Sequence, residues 1–293
     1  MKVKTYLHLL FACSLVVPTG CDVKDPIYNT PHPEHGTVTL ITDWSGRGEG
    51  LAVPASYTVA AGDFSATLSE TTCLLDHLFE PGRYGIYVYN TAEHITMSGT
   101  TATVSEASGN ANGAGRFVHN APGWLFTSAT DAAIEADTEH ACTAVMQQQV
   151  RELTFIVEPA GGTTDRIARI EGYLTGAAGT LDFASGTHAT PMNAGLHFTR
   201  IAEGANAGKW AATVRLLGTA GEQQKLNATL YFADDSPAAV SLESDLTTEL
   251  AAFNTDKRKP LTLGGKVVET PTGTDFGATI TDWTSVTGSG TAD

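Results

Sequence analysis

Apolar and polar residues alternate with a period of two along most of this chain, in short stretches cut by glycine, proline and aspartate. Val38 and Leu40 alternate with Thr39 and Ile41, which reads as a strand ending at Asp43-Trp44. Ser45-Gly46-Arg47-Gly48-Glu49-Gly50 is a turn. Short strands follow over 55–60, 64–68 and 71–74. Glu80-Pro81-Gly82-Arg83 turns the chain into Tyr84-Gly85-Ile86-Tyr87-Val88-Tyr89-Asn90, where Ile86 and Val88 share one face and Tyr87 and Tyr89 the other. Two more short strands cover 95–97 and 101–104. Residues 105–116 are rich in Gly, Asn, Ala and Ser and read as a loop; 130–140 are polar and acidic.

A long strand is predicted over 144–158, centred on Leu153-Thr154-Phe155-Ile156-Val157 and ended by Pro159-Ala160-Gly161-Gly162. Further strands are predicted over 167–175, 196–201, 210–217, 225–232, 261–268 and 278–283. Asp245 can cap a short helix that sets Leu246, Leu250 and Phe253 on one face and ends at Asn254. Many short strands without βαβ alternation predict an all-β chain of two β-sandwiches, over 36–142 and 143–293, with that helix in the second. Ile41-Thr42-Asp43-Trp44 recurs as Ile280-Thr281-Asp282-Trp283. The echo reads as two similar strand endings, with Thr-Asp turning the chain and Trp covering a core edge.

The first residues break the alternation. Lys2 and Lys4 precede an apolar run over 7–17 and then Pro18-Thr19-Gly20-Cys21. A charged start, a short apolar stretch and small residues before a cut make a secretory signal over 1–20. The run is too short to span a bilayer. Thr-Gly-Cys resembles the lipobox of bacterial lipoproteins, with Pro18 where an aliphatic residue is usual. That resemblance implies cleavage between Gly20 and Cys21 and acylation of Cys21. Residues 21–35 lack apolar periodicity and read as an extended tether. Its acidic start resembles the export signals of Bacteroidetes surface lipoproteins, which implies an outer-membrane protein facing the cell exterior.

Charge narrows the partners. The formal net charge is −15, and residues 1–20 hold two lysines and no acid, so the remainder stands at −17. Nucleic acid is excluded as a partner, because the one basic cluster is Lys257-Arg258-Lys259, read as a solvated loop. Acidity also disfavours docking on anionic lipid. Membrane attachment then rests on acyl chains, of which one binds marginally and two or more hold firmly. Of the four cysteines, Cys13 leaves with the signal and Cys21 takes lipid. Export permits a disulfide between Cys73 and Cys142; two buried thiols fit equally well.

Catalytic chemistry finds no foothold. There is no nucleophile elbow, HExxH helix, phosphate loop or EF-hand loop, so no catalytic residue, metal or cofactor is expected. The histidines are scattered; Glu139-His140-x-Cys142 is the only run that offers adjacent ligands, and Asp234-Asp235 reads as a turn. Trp44, Trp124, Trp210 and Trp283, with the tyrosine strand, are either core and edge packing or a platform for glycans.

Several patterns together resemble the FimB/Mfa2 family of fimbrial anchor subunits from Bacteroidales. These are Cys21 with its acidic, proline-bearing tether; His35-Gly36-Thr37-Val38 through Thr42-Asp43-Trp44; and Phe79-Glu80-Pro81-Gly82-Arg83-Tyr84 leading to Tyr87-Val88-Tyr89-Asn90. Ile170-Glu171-Gly172-Tyr173-Leu174-Thr175-Gly176-Ala177-Ala178-Gly179 and the segment from Asp245-Leu246-Thr247 to Phe253-Asn254 complete the likeness. It implies two tandem transthyretin-like Greek-key sandwiches and a structural role in type V-like fimbriae, whose subunits pair by donor strands. Anchor members keep their lipid and hold the fibre at the outer membrane. Stalk members lose their first strand to an arginine-directed protease. No arginine lies between Cys21 and Trp44, and the first is Arg47, so the expectation is a retained anchor. The alternative is a surface lipoprotein that binds glycans or host ligands through exposed aromatics.

Overall fold

The computed structural model describes residues 32, 34–107, 115–272 and 275–286. The signal sequence, Gly20, Cys21 and most of the tether lie outside the described residues. The chain is all-β. The strands run β1 (Thr37–Asp43), β2 (Tyr57–Ala61), β3 (Phe64–Leu68), β4 (Thr72–Leu74), β5 (Gly82–Tyr89), β6 (Ile95–Ser98) and β7 (Thr101–Val104). Next come β8 (Phe117–Val118), β9 (Phe126–Ile134), β10 (Glu139–Val145), β11 (Gln147–Gln148), β12 (Arg151–Pro159), β13 (Ile167–Asp182) and β14 (Thr187–His197). The last are β15 (Thr199–Arg200), β16 (Trp210–Leu216), β17 (Lys225–Phe232), β18 (Val240–Asp245), β19 (Leu261–Thr272) and β20 (Asp275–Ser285).

The period-two pattern becomes burial directly. In β1, Val38 and Leu40 are fully buried, while Thr37, Thr39 and Ile41 stay part-exposed. In β5, Ile86 and Val88 are buried and Tyr87 and Tyr89 face outward. Each such aliphatic side chain contributes about 1.5–3 kcal/mol by leaving water. Two cores result. One gathers Val38, Leu40, Val59, Ile86, Val88, Phe126 and Ala144 between sheets β10-β1-β4 and β11-β9-β5-β2-β3. The other gathers Leu153, Phe155, Leu174, Leu196, Val214, Leu230 and Leu263 between sheets β15-β16-β12-β19-β20 and β18-β17-β13-β14-β8. The segment between β5 and β9 feeds the second core with Ile95, Ala102, Val104 and Val118, and β7 pairs with β13.

The two units repeat one plan. The order β10-β1-β4 reappears as β19-β12-β16, and β9-β5-β2-β3 as β18-β17-β13-β14. Parallel and antiparallel pairings agree: β1 with β10 and β12 with β19 are parallel, and the other matched pairs are antiparallel. The second unit adds β20 and β15 at the two ends of its sheet. Ile280-Thr281-Asp282-Trp283 sits in that added β20, whereas the counterpart of β1 is β12. The tetrapeptide echo therefore does not mark the repeat.

Three local expectations differ from the fold. No α-helix occurs among the described residues, so the helix expected after Asp245 is absent. Leu246, Leu250 and Phe253 are buried as their spacing demands, and the Asp245 carboxylate accepts from the Thr247 amide at 3.0 Å. Only Leu250 N–H to Leu246 C=O is a helical bond; Ala251, Phe253 and Thr255 then bond three residues back. Arg151 takes the Phe253 carbonyl at 2.8 Å and the Lys259 carbonyl at 2.7 Å, which ends the segment from outside. A single turn has no helical cooperativity to resist this.

The long strand expected over 144–158 is broken at Met146 and again before Arg151, where the chain leaves the first unit. The polar stretch 130–140 holds most of β9 and the start of β10, whose exposed Asp131, Ala133 and Glu139 hide the strand signal.

Leu40→Ala is expected to cost about 2–5 kcal/mol, as truncation at a fully buried site does. Thr39→Ala, on the other face of β1, is expected to stay within about 0.5 kcal/mol. Urea unfolding of both variants checks this.

Candidate functional site

β1 is the centre of its sheet and everything around it is built to hold it. It runs parallel to β10 from Thr37 beside Glu139 to Asp43 beside Val145, and antiparallel to β4. At its start, Gly36 and Phe79 exchange backbone hydrogen bonds of 2.9 Å in each direction. A side chain at position 36 is excluded, because a Cβ there would lie 2.4 Å from the Ile134 side chain. At its end, Asp43 accepts the Ser45 amide at 2.8 Å and caps the 3-10 turn Trp44–Gly46. Trp44 donates Nε1 to Thr42 Oγ1 at 3.1 Å and packs edge-on against Tyr57 and Phe126. These contacts account for the Thr42-Asp43-Trp44 run.

Cys73 and Cys142 both lie beside Leu40, one on each flanking strand. Two strand spacings separate their backbones by about 9.5 Å. A disulfide tolerates no more than about 7 Å between Cα atoms. Both thiols are free in this structure, and of the two only Cys142 is buried. The filled seat of β1 is what keeps them apart.

The chain after β1 is pinned just as closely. Gly46 and Gly48, on either side of Arg47, are both buried. A Cβ at Gly46 would sit 2.5 Å from the Met146 carbonyl oxygen, and one at Gly48 2.7 Å from that of Arg258. The Gly48 amide donates to Gln148 Oε1 at 2.8 Å. Gln148 Nε2 in turn donates to the carbonyls of Val150 at 2.8 Å and Lys257 at 2.7 Å. One buried glutamine thus ties the loop behind Arg47 to the second unit.

Lys257 stands beside that tie. The basic triplet is not uniformly solvated: Arg258 and Lys259 are exposed, but Lys257 is 7% exposed. Its ammonium donates to the Leu217 carbonyl at 2.9 Å and to Gln149 Oε1 at 3.4 Å, and meets His188 Nε2 at 2.8 Å. Burial, and then the Arg151 charge, lower its pKa to about 7. Burial, and then Lys257, lower that of His188 to about 4, so His188 is the neutral acceptor of the pair at pH 7. Gln148 and His188 carried no motif, and Lys257 was marked only as part of a basic loop read as solvated; their meeting in space gives them a role.

The other singled-out residues have structural employment. His140 Nε2 accepts the Glu135 amide at 2.9 Å, and Glu139 accepts the Thr39 hydroxyl at 2.8 Å. Asp234 and Asp235 take left-handed backbone angles in a 3-10 turn. The aromatics do not assemble one platform. Trp210 is buried, Trp124 meets the Arg215 guanidinium, Trp283 packs on Phe155, and Tyr87 and Tyr89 lie against Phe183.

The fold and site define a two-core, all-β protein whose opening strand and adjoining loop are integral to its first unit. The chain belongs to the fimbrillin-A associated anchor proteins Mfa1 and Mfa2, whose family model matches residues 58–288. This is a structural, non-enzymatic family of fimbrial anchors at the cell surface. Comparison of the sequence with curated proteins gives no match.

Among solved structures, the fimbrial anchor protein Mfa2 from Porphyromonas gingivalis is similar with a TM-score of 0.59 at 14% identity, over 86% of this chain and 97% of that one. A candidate adhesin from Bacteroides ovatus is similar with a TM-score of 0.57 at 20% identity, over 89% and 97% of the two chains. A second candidate adhesin from that organism has a TM-score of 0.59 at 11% identity, over 87% and 96%. At these identities the likeness speaks for the fold.

Two measurements check the geometry. In the folded chain mild oxidation is expected to leave Cys73 and Cys142 unjoined. Thiol labelling should reach half-buried Cys73 before Cys142, which is 7% exposed and whose thiol pKa burial raises. A native Cys73–Cys142 crosslink would contradict the placement of β1.

The second measurement is a pH series. His188 titrates at about 4 in the folded chain against 6.5 when free, so between those values the unfolded chain takes up the proton. Its stabilising contribution is complete above pH 6.5 and is lost as pH falls toward 4. His188→Asn is expected to flatten part of the acid slope of urea midpoints taken across that window.

Proposed function

We propose that this protein is a lipid-anchored fimbrial subunit that keeps its opening strand and fixes or caps a type V-like fibre at the outer membrane. In this reading Cys21 carries the acyl chains, and residues 21–35 span the gap to two transthyretin-like Greek-key sandwiches. The repeated strand order of the two units supports the tandem arrangement.

One observation carries the reading: β1 is seated between β4 and β10, and the Arg47 bond is held between two buried glycines. Proteases need several residues of extended, accessible backbone, which is scarce where chain and hydrogen bonds are buried. Retention of β1 has a functional consequence. A seat already filled accepts no strand from another subunit, so a chain that keeps β1 ends a series joined by strand exchange. Association with fimbrillin then uses an outer edge, where backbone groups stay open to a further strand. β20 is the longest strand at the end of a sheet path, with eleven residues.

Mass spectrometry of the surface-assembled protein is expected to show acylated Cys21 joined to an intact Arg47–Gly48 bond. In limited digestion with an arginine-specific protease, exposed Arg83 and Arg116 are expected to be cut before half-buried Arg47. A mature N-terminus at Gly48 would overturn the anchor reading and indicate stalk-type processing.

A further inference from the structure

A cavity of about 580 Å³ opens in the seam between the two units. Three pieces of chain wall it: Gln147 to Gln149, the β13–β14 hairpin with Phe183 and His188, and the segment from Asn254 to Arg258. A second cavity of about 350 Å³ adjoins along the outer side of β9 and shares Gln147, Gln149 and Phe183 with the first. This volume suits a ligand the size of one or two sugar rings.

The electrostatics of the wall are unusual for so acidic a chain. Lys257 is nearly buried, and its three partners are a carbonyl, an amide oxygen and an imidazole; none is a carboxylate. Buried charges are ordinarily paired with an opposite charge. Arg258 lines the same cavity, and Arg151 is close enough to act on Lys257. Asp256 is the one carboxylate in the lining, and it faces Arg258 at 3.4 Å and Lys259 at 3.9 Å. Arg258 and Asp256 balance, and Lys257, with a pKa of about 7, adds part of a positive charge, so the lining is slightly cationic near neutral pH and more so below it.

The remaining lining sets the kind of anion. Side-chain amides from Gln147, Gln149 and Asn254 and the hydroxyl of Thr255 surround the space. Gln149 bonds Thr127 and Lys257, and Asn254 bonds the Thr219 backbone; the exposed Gln147 amide offers donor and acceptor side by side, which matches neighbouring hydroxyl groups on a sugar ring. Phe183 supplies one flat apolar face and is braced from behind by Tyr87 at 6.2 Å and Tyr89 at 6.3 Å between ring centres. Apolar lining is too sparse for a lipid chain.

We propose that this seam binds a saccharide bearing a carboxylate, with the carboxylate at Arg258, hydroxyls at Gln147, and the ring against Phe183. The site is independent of strand pairing, so it stands or falls apart from the anchor role.

Calorimetry on the full mature chain tests it, using digalacturonate and sialyllactose as probes and galactobiose and lactose as their neutral counterparts. At least one acidic probe is expected to bind about tenfold or more tighter than its neutral counterpart, as one charge-assisted contact allows. Arg258→Gln and Gln147→Ala change exposed side chains and are expected to weaken that binding at least about fivefold with the unfolding midpoint unchanged. Lys259→Gln removes the neighbouring exposed charge outside the cavity and is expected to leave binding unaltered. No binding of either acidic probe at millimolar concentration overturns the proposal. So does equal binding of acidic and neutral sugars, or acidic binding that Arg258→Gln leaves intact.

Discussion

A central strand in a three-stranded sheet has no spare neighbour, and that constraint governs the first unit. β1 supplies hydrogen bonds to β4 on one side and β10 on the other, and Val38 and Leu40 to the core beneath. Without it, two edges lose their pairing and a stripe of apolar surface opens to water. The cost is the loss of transfer free energy together with backbone groups left to find other partners. The fold meets this by fastening both ends of the strand, at Gly36 with Phe79 and at Asp43 with Ser45. The separation of Cys73 from Cys142 is a consequence of the same strand being in place.

The second unit repeats the strand order but answers the edge problem differently. There the counterpart of the three-stranded sheet is lengthened by β15 and β20, so its central strand has a wider frame. The two units meet through polar groups as well as through packing. Gln148 satisfies Gly48 on one side and Lys257 on the other. Burying that amide is tolerable because its oxygen and nitrogen both find partners. A seam made this way keeps a fixed register between units while leaving space beside Gln147 and Lys257.

Much of the architecture was readable along the chain because burial in a β-sandwich follows a two-residue period. The strands with apolar inner faces, β1, β5, β12, β16 and β17, stand out for that reason. β9, β10, β14 and β18 were obscured because their outward faces are polar or small and their inward residues include Ser128, Thr130 and Ser244. The segment after β18 shows the limit from the other side. Its apolar spacing fits a helix and correctly marks buried residues, but the spacing does not specify the hydrogen bonds, which after Leu250 close three residues back instead of four.

Sequence alone therefore determined the all-β class and the likeness to fimbrial anchors. Each depends on composition, period or a contiguous motif. Tertiary structure decided that Cys73 and Cys142 flank one strand, that Lys257 leaves its basic neighbours and enters the seam, and that Arg47 sits between buried glycines. Those outcomes join residues up to a hundred or more positions apart, as Gly48 with Gln148 and Gln148 with Lys257. No local pattern encodes such pairs, because the free energy that fixes them comes from groups that meet only once the sheets have packed.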